Sequence, residues 1–248
     1  MDHLLRATAL AEKRHFWFHG FRAFITPLIQ RAASGRTDLH ILDCGCGTGA
    51  NLELLGRFGR AYGFDFTETG LRIGREEGRH RTARADVTAV PFPSGRFDLV
   101  TSFDVLYALK TPDARQAVAE MYRLLRPGGY ALINVAAMKM LRGDHSVLDH
   151  EVQRFSRSGL HELLTSGGFH VERITYTNAT LFLPVALVRG LQRLRGLPGE
   201  AGADTDISVP PAPINAALSG MLLLESLWLR LFTEPFGSSL LCLARKPG

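Results

Sequence analysis

The stretch Ile41-Leu42-Asp43-Cys44-Gly45-Cys46-Gly47-Thr48-Gly49-Ala50 constrains the fold of this chain more than any other ten residues. An apolar run stops at an acid, three glycines alternate with small residues, and a helical pattern of leucines (Leu52, Leu54, Leu55) begins at once. A strand, a glycine turn and a helix in immediate succession bring the backbone close to a ligand, because residues without a β-carbon permit the approach. The spacing Gly45, Gly47, Ala50 also satisfies G-x-G-x-x-A, one form of the dinucleotide fingerprint. The turn alone therefore leaves a nicotinamide enzyme and other nucleotide binders open.

Around this turn, strand and helix signals alternate, which argues for an α/β chain with a mostly parallel sheet. Strands are predicted at 39–43, 61–66, 82–86, 97–103 and 130–136, and the fourth and fifth are apolar on both faces, as central parallel strands are. Helices are predicted at 50–58, 69–77 and 113–125, the last ended by the proline and glycines of Arg126-Pro127-Gly128-Gly129. A further helix, capped by Ser156 or Ser158 and ended by Gly167-Gly168, leads to a strand at 169–176, and residues 238–246 form the final strand. Between these last two strands lies an insertion of roughly 60 residues: an amphipathic segment, a loop rich in Pro, Gly and Ala, and a strongly apolar helix.

The chain has 248 residues, 46% of them hydrophobic, which suffices for one well-cored α/β domain. Its formal charge of +5 is spread out, and the densest group, Arg75, Arg79, Arg81 and Arg84, is interrupted by Glu76 and Glu77. That is a solvated helix end rather than a nucleic-acid surface. Cys44 and Cys46 share a tight turn unsuited to a disulfide, and no further ligands stand at zinc spacing, so no metal is expected and the thiols read as packing groups in a reducing compartment. The N-terminal residues lack the apolar stretch of a signal peptide and no window is long enough to span a membrane, so a cytoplasmic location is expected.

Three acids narrow the ligand. Asp65 ends the second strand, 20 residues after Gly45, where an acid accepts hydrogen bonds from ribose hydroxyls. Asp43 directly precedes the glycines; its charge would repel a pyrophosphate and attract the ammonium of an amino-acid tail. Asp86 ends the third strand and can accept a hydrogen bond from an adenine amine. The closing order of helix, strand, insertion and strand also differs from a second nucleotide-binding half.

Taken together, the segments LDCGCGTG, GFDF, ADVTAVPFPSGRFDLVTSFDVL and LLRPGGYALINV resemble the class I S-adenosylmethionine-dependent methyltransferases, in order and spacing, over residues 38–136. The resemblance implies a Rossmann-like sheet of seven strands in the order 3-2-1-4-5-7-6 with helices on both faces. It implies a single methyltransferase domain with an N-terminal helical lid (1–36), a core (37–176), a helical cap (177–237) and the final strand (238–246). Its implied cofactor is S-adenosyl-L-methionine. By position, Gly45, Cys46, Gly47 and Gly49 would lie under the methionine part and ribose, Asp65 would hold the ribose with Phe66 beside the adenine, Asp86 and Val87 would meet the adenine, and Phe103 would line the pocket. Ala108 stands where many relatives have a histidine, so no role transfers there. The aromatic N-terminal segment Phe16-Trp17-Phe18 reads either as a helix packing on the core or as a lid, with Trp17 near the sulfonium and Arg22 reaching the cofactor carboxylate.

Methyl transfer is an in-line displacement in which most of the task is alignment in a dry pocket. A base is needed only where the accepting O, N or C nucleophile must shed a proton. His150, after the fifth strand, is the first candidate, ahead of His145, Glu151, Arg154, His15, His19 and Tyr107, since histidine titrates near neutrality. The apolar insertion implies a small hydrophobic or lipid-linked acceptor. It is expected to cap the substrate site or also to touch a membrane surface, so the location is cytoplasmic or peripheral to a membrane. Two other classes remain: a nicotinamide-dependent oxidoreductase, for which no Tyr-x-x-x-Lys pair is visible, and a non-catalytic cofactor-binding subunit.

Overall fold

The computed structural model describes residues 9–138, 141, 151–194 and 209–248. Seven strands form one sheet: β1 (Leu39–Cys44), β2 (Gly59–Asp65), β3 (Thr82–Arg84), β4 (Phe97–Phe103), β5 (Leu125–Ala136), β6 (His170–Thr177) and β7 (Ser239–Arg245). Their order is β3-β2-β1-β4-β5-β7-β6, the order the family resemblance implies. β1 to β5 pair in parallel, and β7 runs antiparallel between β5 and β6. Every residue of β4 is buried, which is why its sequence is apolar on both faces.

Seven α-helices of five or more described residues accompany the sheet: α1 (Phe16–Ala33), α2 (Asn51–Leu55), α3 (Glu68–Glu76), α4 (Thr111–Leu124), α5 (Arg157–Ser166), α6 (Phe182–Leu194) and α7 (Ala212–Trp228). Consecutive strand residues serve opposite layers, as the two-residue period of a strand dictates. Ile41, Leu99 and Leu132 pack with Phe24, Ile25, Leu28 and Ile29 of α1 and with Leu222 of α7. Leu42, Val100 and Ile133 pack with Val118 and Met121 of α4 and Leu160 and Leu164 of α5. Ser156 caps α5, its hydroxyl accepting from the Gly159 amide at 3.0 Å.

One expectation needs correction. The fifth strand begins at Leu125, five residues earlier than its apolar run, so Arg126-Pro127-Gly128-Gly129 lies inside a strand rather than in a turn. Pro127 keeps Arg126 out of the helical region, and the β4–β5 register shifts between Phe97 and Leu99, an irregularity that tolerates Pro127 and the left-handed Gly128 (φ 76°). The second half of α1 is core, with Phe24, Ile25, Leu28 and Ile29 buried, while its first half is mostly half-buried.

That first half is held by α7. The Phe16 amide donates to Asn215 Oδ1 at 2.8 Å, and Asn215 Nδ2 donates to the Arg14 carbonyl at 2.7 Å. Glu225 of α7, buried, accepts from the Ala179 and Thr180 amides at 2.9 and 3.1 Å and from the Thr180 hydroxyl at 2.6 Å, tying the approach to α6 onto the same helix. No helix among the described residues is long and apolar enough to cross a membrane.

The α1–α7 contact sets its distance at Gly20. A β-carbon there would lie 2.3 Å from Leu222 Cδ1 and 2.7 Å from Leu222 Cβ. Alanine is favoured over glycine in a helix by up to about 1 kcal/mol, but overpacking costs about 1–3 kcal/mol. We expect Gly20→Ala to lower the stability measured by urea unfolding, and to cost less in a Leu222→Ala background, which removes the 2.3 Å clash with Cδ1 but keeps the Leu222 Cβ at 2.7 Å.

Candidate active site

The carboxyl ends of β1, β2 and β4 converge on the glycine turn, the place where open α/β sheets hold ligands. The Gly45 and Cys46 amides donate to the Phe64 carbonyl at 2.8 and 2.9 Å, which ties the turn to β2. Gly45, Gly47 and Gly49 all have positive φ, at 79°, 56° and 75°. Their surroundings differ. A β-carbon on Gly45 would collide with Val105 Cγ2 at 2.2 Å, whereas one on Gly47 would meet nothing within 4 Å. Gly45 is thus glycine for packing, and Gly47 turns an open backbone face outward.

The turn rests on glycines that the sequence pattern did not single out. On α3, β-carbons at Gly70 and Gly74 would lie 2.9 Å from the Gly47 carbonyl oxygen and 2.4 Å from the Thr48 carbonyl oxygen. On β2, one at Gly63 would lie 2.7 Å from Cys46 Sγ. The signal was present as two glycines four apart in a helical segment, a spacing that lets a backbone come close. All three cysteines are free and buried. Burial pushes their thiols upward, Cys242 to about 12, so none is a nucleophile.

Asp43 is buried at the end of β1 and accepts a 2.6 Å hydrogen bond from the Thr101 hydroxyl. Burial pushes its carboxyl up to about 7, the Thr101 bond pulls the other way, and the charge of Asp65 adds to the rise. Asp65 Oδ2 accepts from the Gly47 amide at 2.8 Å, and Oδ1 accepts from the Thr67 amide at 2.8 Å and from the Thr67 hydroxyl. Phe66 follows, 65% exposed, with the Arg84 guanidinium 5.7 Å from its ring centre. Asp86 Oδ1 accepts from the amide and hydroxyl of Thr88, bonds that hold its carboxyl below the usual range. Val87 beside it is buried. The loop after Val87 is clasped from α4: Glu120 accepts from the Val90 amide at 2.9 Å, and Arg123 donates to the Val90 and Phe92 carbonyls at 2.9 and 2.8 Å.

Phe103, buried at the end of β4, meets the edge of Phe21 at 5.0 Å. The next residue, Asp104, is exposed and has φ of 60°, an uncommon state for an acid that clusters at functional sites. Buried Asn134, on β5, fixes it at two points: its Nδ2 donates to Asp104 Oδ1 at 2.9 Å, and its carbonyl accepts from the Asp104 amide at 3.0 Å. The sequence reading passed over this pair, although an acid directly after an apolar strand was the signal.

From above, the Thr48 hydroxyl meets both carboxylate oxygens of Glu12 at 3.0 and 2.8 Å. Burial raises the Glu12 carboxyl, and the charges of Arg79 and Arg22 oppose the rise. Arg22, half-buried on α1, lies close enough to Glu12 for its charge to act there, and Trp17 is half-buried on the same helix. His150 and His145 lie outside the described residues. Glu151 and Arg154 form a 2.7 Å ion pair in which Arg154 also donates to the Ala137 carbonyl, a bracing role. Tyr107 is buried, and its carbonyl receives the Val152 and Gln153 amides. His15 caps α1 through Nδ1, and His19 is exposed on the same helix. A cleft of about 940 Å³ between α4 and α5, lined by Thr111, Met138, Phe155, Leu163 and Tyr176, does not include the glycine turn.

Residues 42–133 match the methyltransferase domain family. A probable S-adenosylmethionine-dependent methyltransferase of Mycolicibacterium smegmatis is 30% identical over 171 residues, 66% of this chain and 62% of that protein. A 2-phytyl-1,4-naphtoquinone methyltransferase of Thermosynechococcus vestitus is 41% identical over 101 residues, 37% of this chain and 44% of that protein. A demethylmenaquinone methyltransferase of Listeria welshimeri is 35% identical over 101 residues, 36% of this chain and 42% of that protein. The chain thus spans about three fifths of the first relative and about two fifths of the other two. Among solved structures, the [4+2]-cyclase SpnF has a TM-score of 0.56 at 20% identity, covering 91% of this chain and 80% of its own. Phosphoethanolamine N-methyltransferase 2 of Haemonchus contortus has 0.61 at 19%, covering 100% and 58%. These likenesses show the fold.

The buried Asp43 carries a consequence for stability. A folded-state pKa of about 7, against about 3.9 in an unfolded chain, means that the folded protein holds the proton more tightly. Stability from this group is therefore lost as pH rises from about 4 to about 7. We expect Asp43→Asn, which keeps an acceptor for Thr101, to be more stable than the parent, and its advantage in thermal melts of the ligand-free protein to grow by about 2 kcal/mol between pH 5 and pH 8.

Proposed function

Since residues 42–133 of this chain form a methyltransferase domain of the class I, S-adenosylmethionine-dependent family, we propose that the protein transfers a methyl group to a small apolar acceptor. The observation that carries the reading is the juxtaposition of Asp43, the open face of Gly47 and Asp65 at the strand ends. The residues fit the cofactor. A buried carboxylate without a cationic partner among the described residues suits an ammonium, an outward backbone face suits close approach, and exposed Phe66 offers a ring to the adenine.

When bound, S-adenosylmethionine supplies a methyl group on a sulfonium that leaves readily. The chain's own residues bind and orient. Asp43 holds the ammonium and Asp65 the ribose hydroxyls; the loop at Asp86 and Val87 receives the adenine; Gly45, Cys46, Gly47 and Gly49 form the floor. Phe103 and Phe21 exclude water at the end of β4, and Trp17 and Arg22 close the pocket from α1, Arg22 toward the carboxylate. His150 is the proposed base for an acceptor that must lose a proton, and Asp104, fixed by Asn134 at the mouth of β4, is a second candidate. If either is the base, its replacement (His150→Ala or Asp104→Asn) should lower turnover by about 100-fold or more while leaving cofactor affinity intact.

The acceptor class rests on two supports. Two relatives carry the names of methyltransferases acting on naphthoquinone-type compounds, and the segment after β6 is rich in exposed leucines. A nicotinamide enzyme is the weaker reading, because the buried acid at Asp43 stands where a pyrophosphate would meet it.

Calorimetry with S-adenosylhomocysteine and with NAD tests the assignment. We expect the first to bind and the second not to. Asp65→Ala should weaken binding tenfold or more, by loss of charge-assisted hydrogen bonds worth about 1.5–3 kcal/mol each; normal binding by a folded variant would sink the assignment. Asp43 must also be ionised to hold the ammonium, so affinity should fall about tenfold from pH 8 to pH 6, in step with a pKa of about 7.

A further inference from the structure

The apolar residues of α6 point two ways. Leu181 is buried and Val185 packs against the core, so the inward side of the segment is already satisfied. Leu183, Leu187 and Leu191, four apart along the helix, are 76%, 66% and 47% exposed, and Val188 beside them is half exposed. The stripe does not end with the helix. Phe182 meets Phe236 edge-on at 5.3 Å, and Phe236 continues into exposed Phe232, Leu231 and Trp228. That run is held rigidly along β6, because Arg173 donates to the carbonyls of Leu229 and Phe232 and the Glu234 amide donates to Thr175 Oγ1 at 2.9 Å. Exposed leucines on a pinned surface are not a folding requirement.

The charge along this segment is one-sided. Between Arg173 and Glu200 the sequence has no acid, while arginines occur at 189, 193 and 195. A helix with an apolar outer stripe, in a stretch whose sequence carries only basic charge, matches the boundary of an anionic bilayer. It cannot cross one, since no described helix has the length and apolarity. α6 also follows directly from the carboxyl end of β6, at the same end of the sheet as the glycine turn.

We propose that the outer face of α6, continued by Trp228 to Phe236, docks the protein on an anionic lipid surface and so brings the site to an acceptor dissolved in the bilayer. The inference rests on the apolar-acceptor reading above. A neutral apolar partner, or a second copy of the chain, would leave the one-sided charge without a counterpart.

The test is co-sedimentation of the full chain with phosphatidylcholine vesicles, with and without phosphatidylglycerol. Binding should rise with the anionic lipid and fall with salt. The double variant Leu187→Glu, Leu191→Glu, altered only at exposed positions, should bind about tenfold less or weaker still, with its melting temperature and its affinity for S-adenosylhomocysteine unchanged. Equal binding to both kinds of vesicle, no binding to either, or a dimer in sedimentation equilibrium that the double variant dissociates would overturn the proposal. Loss of S-adenosylhomocysteine binding in the parent protein would instead refute the methyltransferase reading, and the vesicle result would stand apart from it.

Discussion

The site depends first on a contact made by the absence of side chains. α3 lies against the glycine turn so closely that any β-carbon at Gly70 or Gly74 would enter the carbonyls of Gly47 and Thr48. Cys46 occupies the hollow left by Gly63 on the neighbouring strand. The turn is therefore fixed from behind by backbone, and Gly47 alone of its glycines leaves an open face. Glycine carries an entropic cost in a helix of roughly 0.5–1 kcal/mol, and α3 bears it at two buried positions. What results is a rigid turn whose amides are held in place: Gly45 and Cys46 donate to the Phe64 carbonyl, Gly49 to the Cys46 carbonyl and Gly47 to Asp65.

Asp43 works against stability in the same region. Its carboxyl has one hydrogen bond, complete burial and another acid nearby, all in a protein that could accommodate a neutral residue. Such groups persist where a ligand completes them. The surrounding packing offsets the cost: α1 and α7 pack on one face of the sheet, α4 and α5 on the other, and β1 and β4, which end at the site, are buried along nearly all of their length.

Much of this was legible in the sequence, and the reasons are physical. Central parallel strands are apolar on both faces, so β4 and the later part of β5 announced themselves, and the turn was marked by glycines in positive-φ positions. Strand order was not written in periodicity; it came with the family resemblance. Arg126-Pro127-Gly128-Gly129 misled because proline and glycine signal a turn in isolation, and only the bulged pairing of β5 with β4 shows how a strand can hold them. Gly70 and Gly74 went unnoticed because their meaning lies in a partner 23 to 26 residues away in sequence. Asp104 and Asn134 went unnoticed for the same reason: their pairing joins two strands.

The segment between β6 and β7 leaves the sheet after Thr177 and returns at Ser239, and these two residues are paired neighbours. Chain inserted between adjacent strand ends does not disturb the register on either side, and lengthening it costs only about 0.6 kcal/mol per doubling. One part of the excursion is not free to vary, because Leu222, Glu225 and Leu229 roof α1 and anchor the start of α6. Divergence among homologues should accordingly concentrate on the stretch from α6 to the beginning of α7. The excursion can then drift over evolutionary time while the half of the molecule that carries the glycine turn stays as it is.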